Sequence, residues 1–483
     1  MFDGFTRDWI PDERTLVKAD LVNFCRKVTR DRWRPARHLV MLADKLMDLA
    51  CGRITRLMVF MPPRHGKSYL CSRLFPAWYL INNPNKRVIL TSYGASLAFT
   101  FSRRVREIVR EHGQWLAGVE LAEDSSAVDR WDLKGREGGL VAAGVGGPIT
   151  GHGGDIVLVD DVIKNIAEAN SRTYREAVWD WYVSTLRTRL EPQAGLGIIM
   201  TRWRHDDLAG QLLVEMESGG EQWEVLKLPA LAEEGDPLGR APGEPLWPER
   251  YDEKALEDLR KTLGSFLFSA IYQQSPRRSE GNMFRREWFR YFRDEGDCYV
   301  LLKPGGEHRV KKADCWLFQT VDPAATEKET SDYFACGTWA VTPESDLLLV
   351  DMFRERLETP KHKALMKAMY ARYAPAFQGV EEKTFGLALI QEMTLEGLPV
   401  VPLKADTDKV SRAYPIAARY EMGAVYHRQG APWLSAYEDE LEDFPSGAHD
   451  DMVDCASYAA VVLALDRARR QQRKGVGRAT VIG

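Results

Sequence analysis

The stretch RLMVFMPPRHGKSYLCSRLF (residues 56–75) sets a strand-like run, 56–61, before Gly66-Lys67-Ser68 and a helix-forming continuation. A buried strand, a tight turn and a helix start are the parts of a phosphate-binding loop. Backbone N–H groups and the helix N-terminus surround phosphate oxygens, a lysine reaches the β- and γ-phosphates, and a serine hydroxyl meets Mg²⁺. Five places before Gly66, where such loops carry a glycine, stands Met61. Pro62-Pro63-Arg64 can set the turn instead, with Arg64 adding a charge, so Met61→Gly is expected to be harmless and Lys67→Ala is not. The nucleotide-binding set expected here is Arg64, His65, Gly66, Lys67 and Ser68.

The rest of the N-terminal half supplies partners for such a loop. RVILTSY (87–93), DIVLVDD (155–161) and LGIIMTRW (196–203) are short apolar runs, as strands buried on both faces of a parallel sheet should be. Helix candidates lie between them at 95–111 and 170–190. That pattern predicts an α/β domain with a parallel-rich sheet. Asp160 ends the third run and Asp161 follows, which suits an acid organising Mg²⁺ and a second acid activating water. Thr201, at the polar end of the fourth run, is expected to sense the γ-phosphate. Arg136, Arg202 and Arg204 are candidates for an arginine that stabilises the transition state.

A Pro/Gly-rich acidic segment, 233–252, interrupts the pattern, and an arginine-rich stretch with interleaved aromatics, PRRSEGNMFRREWFRYFR (276–293), marks the domain junction. A different order follows: a strand at 316–324, a hairpin around 343–345, then helix 361–373, strand 377–382, helix 384–396 and strand 398–404. Three antiparallel strands continuing into alternating α and β predict a mixed sheet of the RNase H pattern. Asp322 and Glu381-Glu382 fall at strand ends, and Asp450-Asp451 open a helix. Acids from such positions can converge on Mg²⁺, a hard cation that prefers oxygen and cleaves phosphodiesters in pairs. The expected metal ligands are Asp322, Glu381, Glu382, Asp450 and Asp451, with Mn²⁺ as a possible substitute and His449 as an assistant.

Composition bounds the rest. The chain has 483 residues, 45% hydrophobic and 28% charged, enough for two or three domains, with a formal net charge of −4. Contact with nucleic acid must therefore come from local basic patches, of which 276–293 and the tail RARRQQRKGVGR (467–478) are candidates. Seven cysteines stand singly without a CxxC pair, which argues against zinc modules and a disulfide framework. Apolar runs are strand-sized and no secretory pattern opens the chain, so a cytosolic protein without a membrane span is expected.

Taken together, MPPRHGKS, GVGGPITGHGGDIVLVDDVIKN, MTRWRHDDLAG, FLFSAIYQQSP, DKVSRAYPIAARYEMGAVY and FPSGAHDDMVDCASY resemble the large terminase subunit of tailed bacteriophages over residues 34–465. The resemblance implies an ATPase domain at 1–275 with a lid or linker near 230–275, an RNase H-like nuclease domain at 276–465, and a basic tail at 466–483. It makes Lys67 and Ser68 phosphate and Mg²⁺ ligands, Asp160 a Mg²⁺ ligand, Asp161 the catalytic carboxylate, and Thr201 the coupling residue. Asp322, Glu381 and Asp450 become the nuclease acids. It also implies ATP as cofactor and double-stranded DNA, a portal protein, a small terminase subunit and further copies of the chain as partners, in a host cell cytoplasm. Two departures stand out: His152 where relatives often carry arginine, and Val162 where they often carry proline. A cellular ATP-dependent repair nuclease and a non-catalytic DNA-binding scaffold are the competing readings.

Overall fold

The structure, a computed structural model, describes residues 12–149, 151–276, 283–323, 333–382, 384–404 and 407–476. Arg277, Arg278 and the side chains of the basic tail lie outside the described residues. The chain divides into two compact units, Met1–Asp258 with Phe266–Arg278, and Leu259–Ser265 with Ser279–Gly483.

The first unit is built on β1 (Arg56–Phe60), β2 (Arg87–Ser92), β3 (Leu121–Ser126), β4 (Arg130–Leu133), β5 (Gly139–Gly144), β6 (Gly154–Asp160), β7 (Leu190–Met200) and β8 (Glu224–Lys227). They form one sheet in the order β3-β4-β5-β2-β6-β7-β1-β8. From β5 to β8 every pairing is parallel, and β3 and β4 add an antiparallel edge. Successive residues of β1 serve opposite cores: Leu57 and Val59 pack on one face, Met58 and Phe60 on the other. A strand apolar on both faces cannot sit at a wetted sheet, so helices must cover both sides. Register then aligns the strand ends, with Phe60 beside Met200 and Asp160 beside Ile199. Whatever follows β1, β6 and β7 therefore emerges along one edge, the usual ligand edge of a parallel sheet.

Two details depart from expectation. The helix expected at 170–190 is broken, with Ile166–Asn170 ending at Ser171, whose hydroxyl caps the next helix, Arg172–Trp181, by accepting from the Tyr174 amide. One turn of π-helix and one of 3₁₀ then lead into β7, which starts at Leu190 and ends at Met200, leaving Thr201 beyond the strand. The antiparallel edge β3–β4 carries too few apolar residues for its pattern to be legible.

The second unit holds β9 (Arg290–Glu295), β10 (Cys298–Lys303), β11 (Gly306–Lys311), β12 (Trp316–Asp322), β13 (Phe334–Val341), β14 (Leu347–Glu355), β15 (Gln378–Glu381), β16 (Val400–Leu403) and β17 (Val425–Arg428). Their order is β11-β10-β9-β17-β14-β13-β12-β15-β16. β12–β14 are antiparallel, and β15 and β16 join parallel to β12, which is the mixed RNase H-like order. The helix Asp451–Val476 lies against it, tied down where Thr320 Oγ1 donates to the Cys455 carbonyl at 2.9 Å.

The meander β9–β11 corrects the expectation for 276–293. Phe284, Phe289 and Phe292 are buried in the core instead of offering stacking surfaces. Three of the described arginines are ion-paired: Arg285 with Glu287, Arg286 with Asp439 and Glu442, and Arg293 with Glu295 and Glu307. Charge on β9 is thus matched by Glu295 on the same strand and Glu307 on β11, and much of the basic patch is internally neutralised.

Candidate functional sites

The first site is assembled at the aligned ends of β1, β6 and β7. The loop after β1 turns through Arg64 and Gly66, both left-handed, with φ of 63° and 92°. Gly66 is required twice over: its backbone conformation disfavours a side chain, and a Cβ there would sit 3.0 Å from Leu39 Cδ2. Lys67 then opens a helix, and its ammonium lies 2.9 Å from Thr201 Oγ1 and 3.1 Å from Asp161 Oδ2. Ser68 Oγ donates to Asp160 Oδ1 at 2.9 Å. Asp161, at φ 47°, is held by its amide donating to the Ile199 carbonyl, while its Oδ1 accepts from the Thr201 amide at 2.8 Å. Lys67, Ser68, Asp160, Asp161 and Thr201 thus meet in one cluster although the chain separates them by up to 134 positions.

Burial and the neighbouring Asp161 push the Asp160 carboxyl up to about 7, against Lys67 and the two serine hydroxyls that stabilise its charge. The second of those hydroxyls belongs to Ser72, which donates to Asp160 Oδ2 at 2.5 Å and has no place in the expected set. Ser72 follows Ser68 by four residues, the spacing that puts two helical residues on one face. That spacing was visible in the sequence; that the helix would point it at an acid was not.

Met61 is no loop residue standing in for glycine. It is fully buried in the hydrophobic core, and its amide donates to the Met200 carbonyl at 3.4 Å, prolonging β1. The expectation that Met61→Gly is harmless is therefore wrong, because the change would open a core cavity. The His65 side chain is buried. Its ring stacks on Tyr251 with centroids 4.9 Å apart, and its Nδ1–H donates to the Pro63 carbonyl at 2.8 Å. His38 Nε2–H donates to the His65 carbonyl at 3.0 Å while its ring meets Trp247 edge-on. Trp247 and Tyr251 come from the Pro/Gly-rich segment, so that segment packs directly on the loop. Arg202 is committed elsewhere: its Nε lies 3.0 Å from both Asp207 oxygens, with the guanidinium over the Phe60 ring. Arg204 pairs with Asp206, whereas Arg136 is exposed on the turn after β4.

The second site lies at the ends of β12 and β15. The parallel register pairs Val321 with Val380, which sets Asp322 and Glu381 side by side one residue further on. Both are buried. Tyr458 Oη donates to Glu381 Oε1 at 2.7 Å. Asp450 precedes the helix Asp451–Val476, and Asp454 lies one turn inside it. Two cations from the helix Lys409–Glu421 enter this cluster: Lys409 Nζ lies 2.6 Å from Asp450 Oδ1 and 3.5 Å from Asp454 Oδ2. Arg412 Nη2 lies 2.9 Å from Asp454 Oδ1 and 3.8 Å from Glu381 Oε1. Burial opposes Lys409's charge, but the hydrogen bond to Asp450 and the fields of Asp454, Asp450 and Asp322 outweigh it and raise its pKa.

Asp451 is turned toward Arg354, 3.9 Å away, which bridges it to Glu440 at 3.1 Å. Glu440 accepts from the Met452 and Val453 amides and so caps the helix. Glu382 is half-buried, with its amide donating to the Leu403 carbonyl, and His449 packs edge-on against Tyr333. Among the described residues no three acidic, histidine or cysteine side chains stand in a metal-ligand arrangement. The donor set still suits a hard divalent cation: Asp322, Glu381, Asp450 and Asp454 bring four carboxylates against two resident cations, and all donors are oxygen. Asp454, Lys409 and Arg412 were not singled out from the sequence, although HDDMVD places Asp454 four residues after Asp450.

Two measurements check the first site. Met61→Gly is expected to destabilise the first unit by about 3–5 kcal/mol through the cavity and the added backbone freedom, read as a lowered urea midpoint. The second concerns acid. Burial pulls His38 and His65 from 6.5 down to about 4. Between those values the unfolded chain binds protons that the folded chain refuses, so stability is full above pH 6.5 and falls toward pH 4. Each histidine contributes about 1.4 kcal/mol per pH unit inside that window. A urea midpoint that drops from neutral to mildly acid pH, with a smaller drop in His38→Gln, is the expected result.

The family model described as terminase large subunit, T4likevirus-type, N-terminal, matches residues 58–291. A second, the terminase RNaseH-like domain, matches residues 319–462. Among solved structures, the chain is similar to the large terminase of a thermophilic bacteriophage, at 10% identity over 86% of this chain and 97% of that one, with a TM-score of 0.47. It is also similar to the HK97 bacteriophage large terminase, at 10% identity over 82% and 85% of the two chains and a TM-score of 0.36. The large terminase nuclease of thermophilic phage G20c with bound magnesium matches 38% of this chain and 98% of its own at 16% identity, with a TM-score of 0.28. No protein of curated function matches the sequence. The two family models between them take in both clusters of acids and most of the chain, and on that ground it belongs to the large terminase subunit family, with an N-terminal terminase ATPase domain and an RNase H-like domain after it.

Proposed function

We propose that this chain is the motor-nuclease of a genome-packaging machine, hydrolysing ATP to drive double-stranded DNA into a procapsid and cutting concatemeric DNA. The convergence of Lys67, Asp161 and Thr201 within about 3 Å supports it most directly. A lysine ion-paired to the acid that must later act on water is a resting arrangement. A nucleotide's phosphates compete for Lys67 and so release Asp161, whose carboxylate is then free to orient the attacking water. Thr201, hydrogen-bonded to Lys67 and, through its amide, to Asp161, registers that exchange and passes it to the end of β7. Ser68 and Asp160 would hold the Mg²⁺ that accompanies ATP, with Ser72 fixing the second oxygen of Asp160.

In the second domain, Asp322, Glu381 and Asp450 would hold Mg²⁺ or Mn²⁺, with Glu382 and Asp451 as neighbours. Such ions, when bound, supply a Lewis acid and an activated water for phosphodiester cleavage. The protein's own contribution is the rigid placement of Asp322 and Glu381 on adjacent strands, with Tyr458 orienting Glu381. We assign ATP hydrolysis to residues 1–275 and cleavage to 276–465. The partners that fit this function are a portal protein, a small terminase subunit, and further copies of the chain in a ring, working in a host cytoplasm. No helix among the described residues is long and apolar enough to cross a membrane.

Purified protein should show DNA-stimulated ATPase activity that falls about 100-fold or more in Lys67→Ala and Asp161→Asn. Asp322→Asn should abolish Mg²⁺-dependent nicking of plasmid DNA while leaving ATP turnover unchanged. Absence of ATPase activity with DNA present would overturn the motor, and normal nicking by Asp322→Asn would overturn the assignment of the metal centre.

A further inference from the structure

Lys409 stands out among the charged groups of the second unit. It occupies the first position of the helix Lys409–Glu421, behind the capping Asp408, where a cation opposes the helix dipole. Its helix therefore gives no reason for a lysine there. The reason lies across the cluster: its ammonium contacts Asp450 and Asp454, and Asp322 is close enough to bias its charge. Arg412, on the same helix, differs in kind. It is buried, donates to the Thr407 carbonyl at 2.6 Å, and is gripped between Asp454 and Glu381 under the Tyr458 ring. Lys409 remains 45% exposed on a flexible stem and can leave. The cluster thus contains one fixed cation and one removable one, beside the carboxylate that strand order cannot supply, Asp450.

We propose that Lys409 is a displaceable counter-cation of the nuclease centre, whose ammonium competes with one divalent ion for the Asp450–Asp454 side and moves to a DNA phosphate when that ion binds. This rests on the reading of these acids as a metal centre. Lysine then sets how readily the second ion loads. With Lys409 on the acids the centre is short of metal and idle; with DNA present, phosphate draws the ammonium away and the acids are free for the ion. Cutting would thereby depend on DNA being seated, as a packaging enzyme that must not cleave at every encounter requires.

The test is a Mn²⁺ titration of the full chain, with free Mn²⁺ followed by electron paramagnetic resonance, for the wild type, Lys409→Met, Lys409→Gln and Asp322→Asn. The part of the binding that Asp322→Asn removes reports on this centre. In both lysine variants that part is expected to tighten about tenfold, or to gain one ion, because a positive charge in contact with the acids is gone. Plasmid cleavage at saturating Mn²⁺ should slow about tenfold or more, since the phosphate contact is lost. Misfolding does not produce tighter binding, so the gain separates competition from a merely structural lysine. Binding that Asp322→Asn removes but that is unchanged in both lysine variants would overturn the proposal and leave the metal centre standing. Wild-type binding insensitive to Asp322→Asn would overturn both.

Discussion

A carboxylate taken out of water must find a counter-charge, and both sites of this protein are solutions to that constraint. Asp160 is wholly buried beside a second acid, a placement that would expel its charge without Lys67 and two serine hydroxyls. Asp454 is likewise buried and held by Arg412 and Lys409. In each case the acids stand where strands end or a helix begins, and in each a lysine reaches them from a helix start. The lysine offsets the charge that holds the acids apart.

The two domains reach this arrangement through different sheets. In the first, an all-parallel centre aligns the ends of β1, β6 and β7, so the loop, the paired acids and Thr201 share an edge without any special device. In the second, antiparallel strands bring Asp322 to its place and a parallel strand brings Glu381 beside it. The third element is the start of a helix, which brings Asp450 and Asp454. Thr320, bonded to the Cys455 carbonyl, sets the height of that helix, and Glu440 caps its start. The site acids therefore depend on polar contacts buried one layer below them.

Much of this was legible in the sequence. Lys67, Ser68, Asp160, Asp161 and Thr201 could be read because each follows an apolar run, and a parallel sheet leaves the ends of such runs little freedom. The mixed sheet from β12 to β16 was legible for the same reason. The edge strands β3 and β4 and the strands β9 and β11 were not, since short strands rich in charge carry no apolar period. The arginines of 276–293 read as a surface for nucleic acid, whereas Arg293 is neutralised by Glu295 on its own strand and by Glu307 of β11. Met61, the last residue of the strand-like run 56–61, was compared with a loop glycine, whereas its side chain lies in the core and its amide donates to the Met200 carbonyl.

Sequence alone determined which segments must be buried and which residue types terminate them, because period and composition report the company a side chain keeps along its own strand or helix. Only the tertiary structure decided which charges meet. That Lys67 rests on Asp161, that Ser72 serves Asp160, and that Lys409 and Arg412 divide the acids of the second site between them all follow from packing between elements distant in the chain. The strength of a buried ion pair depends on distance and desolvation, and neither is written along one strand.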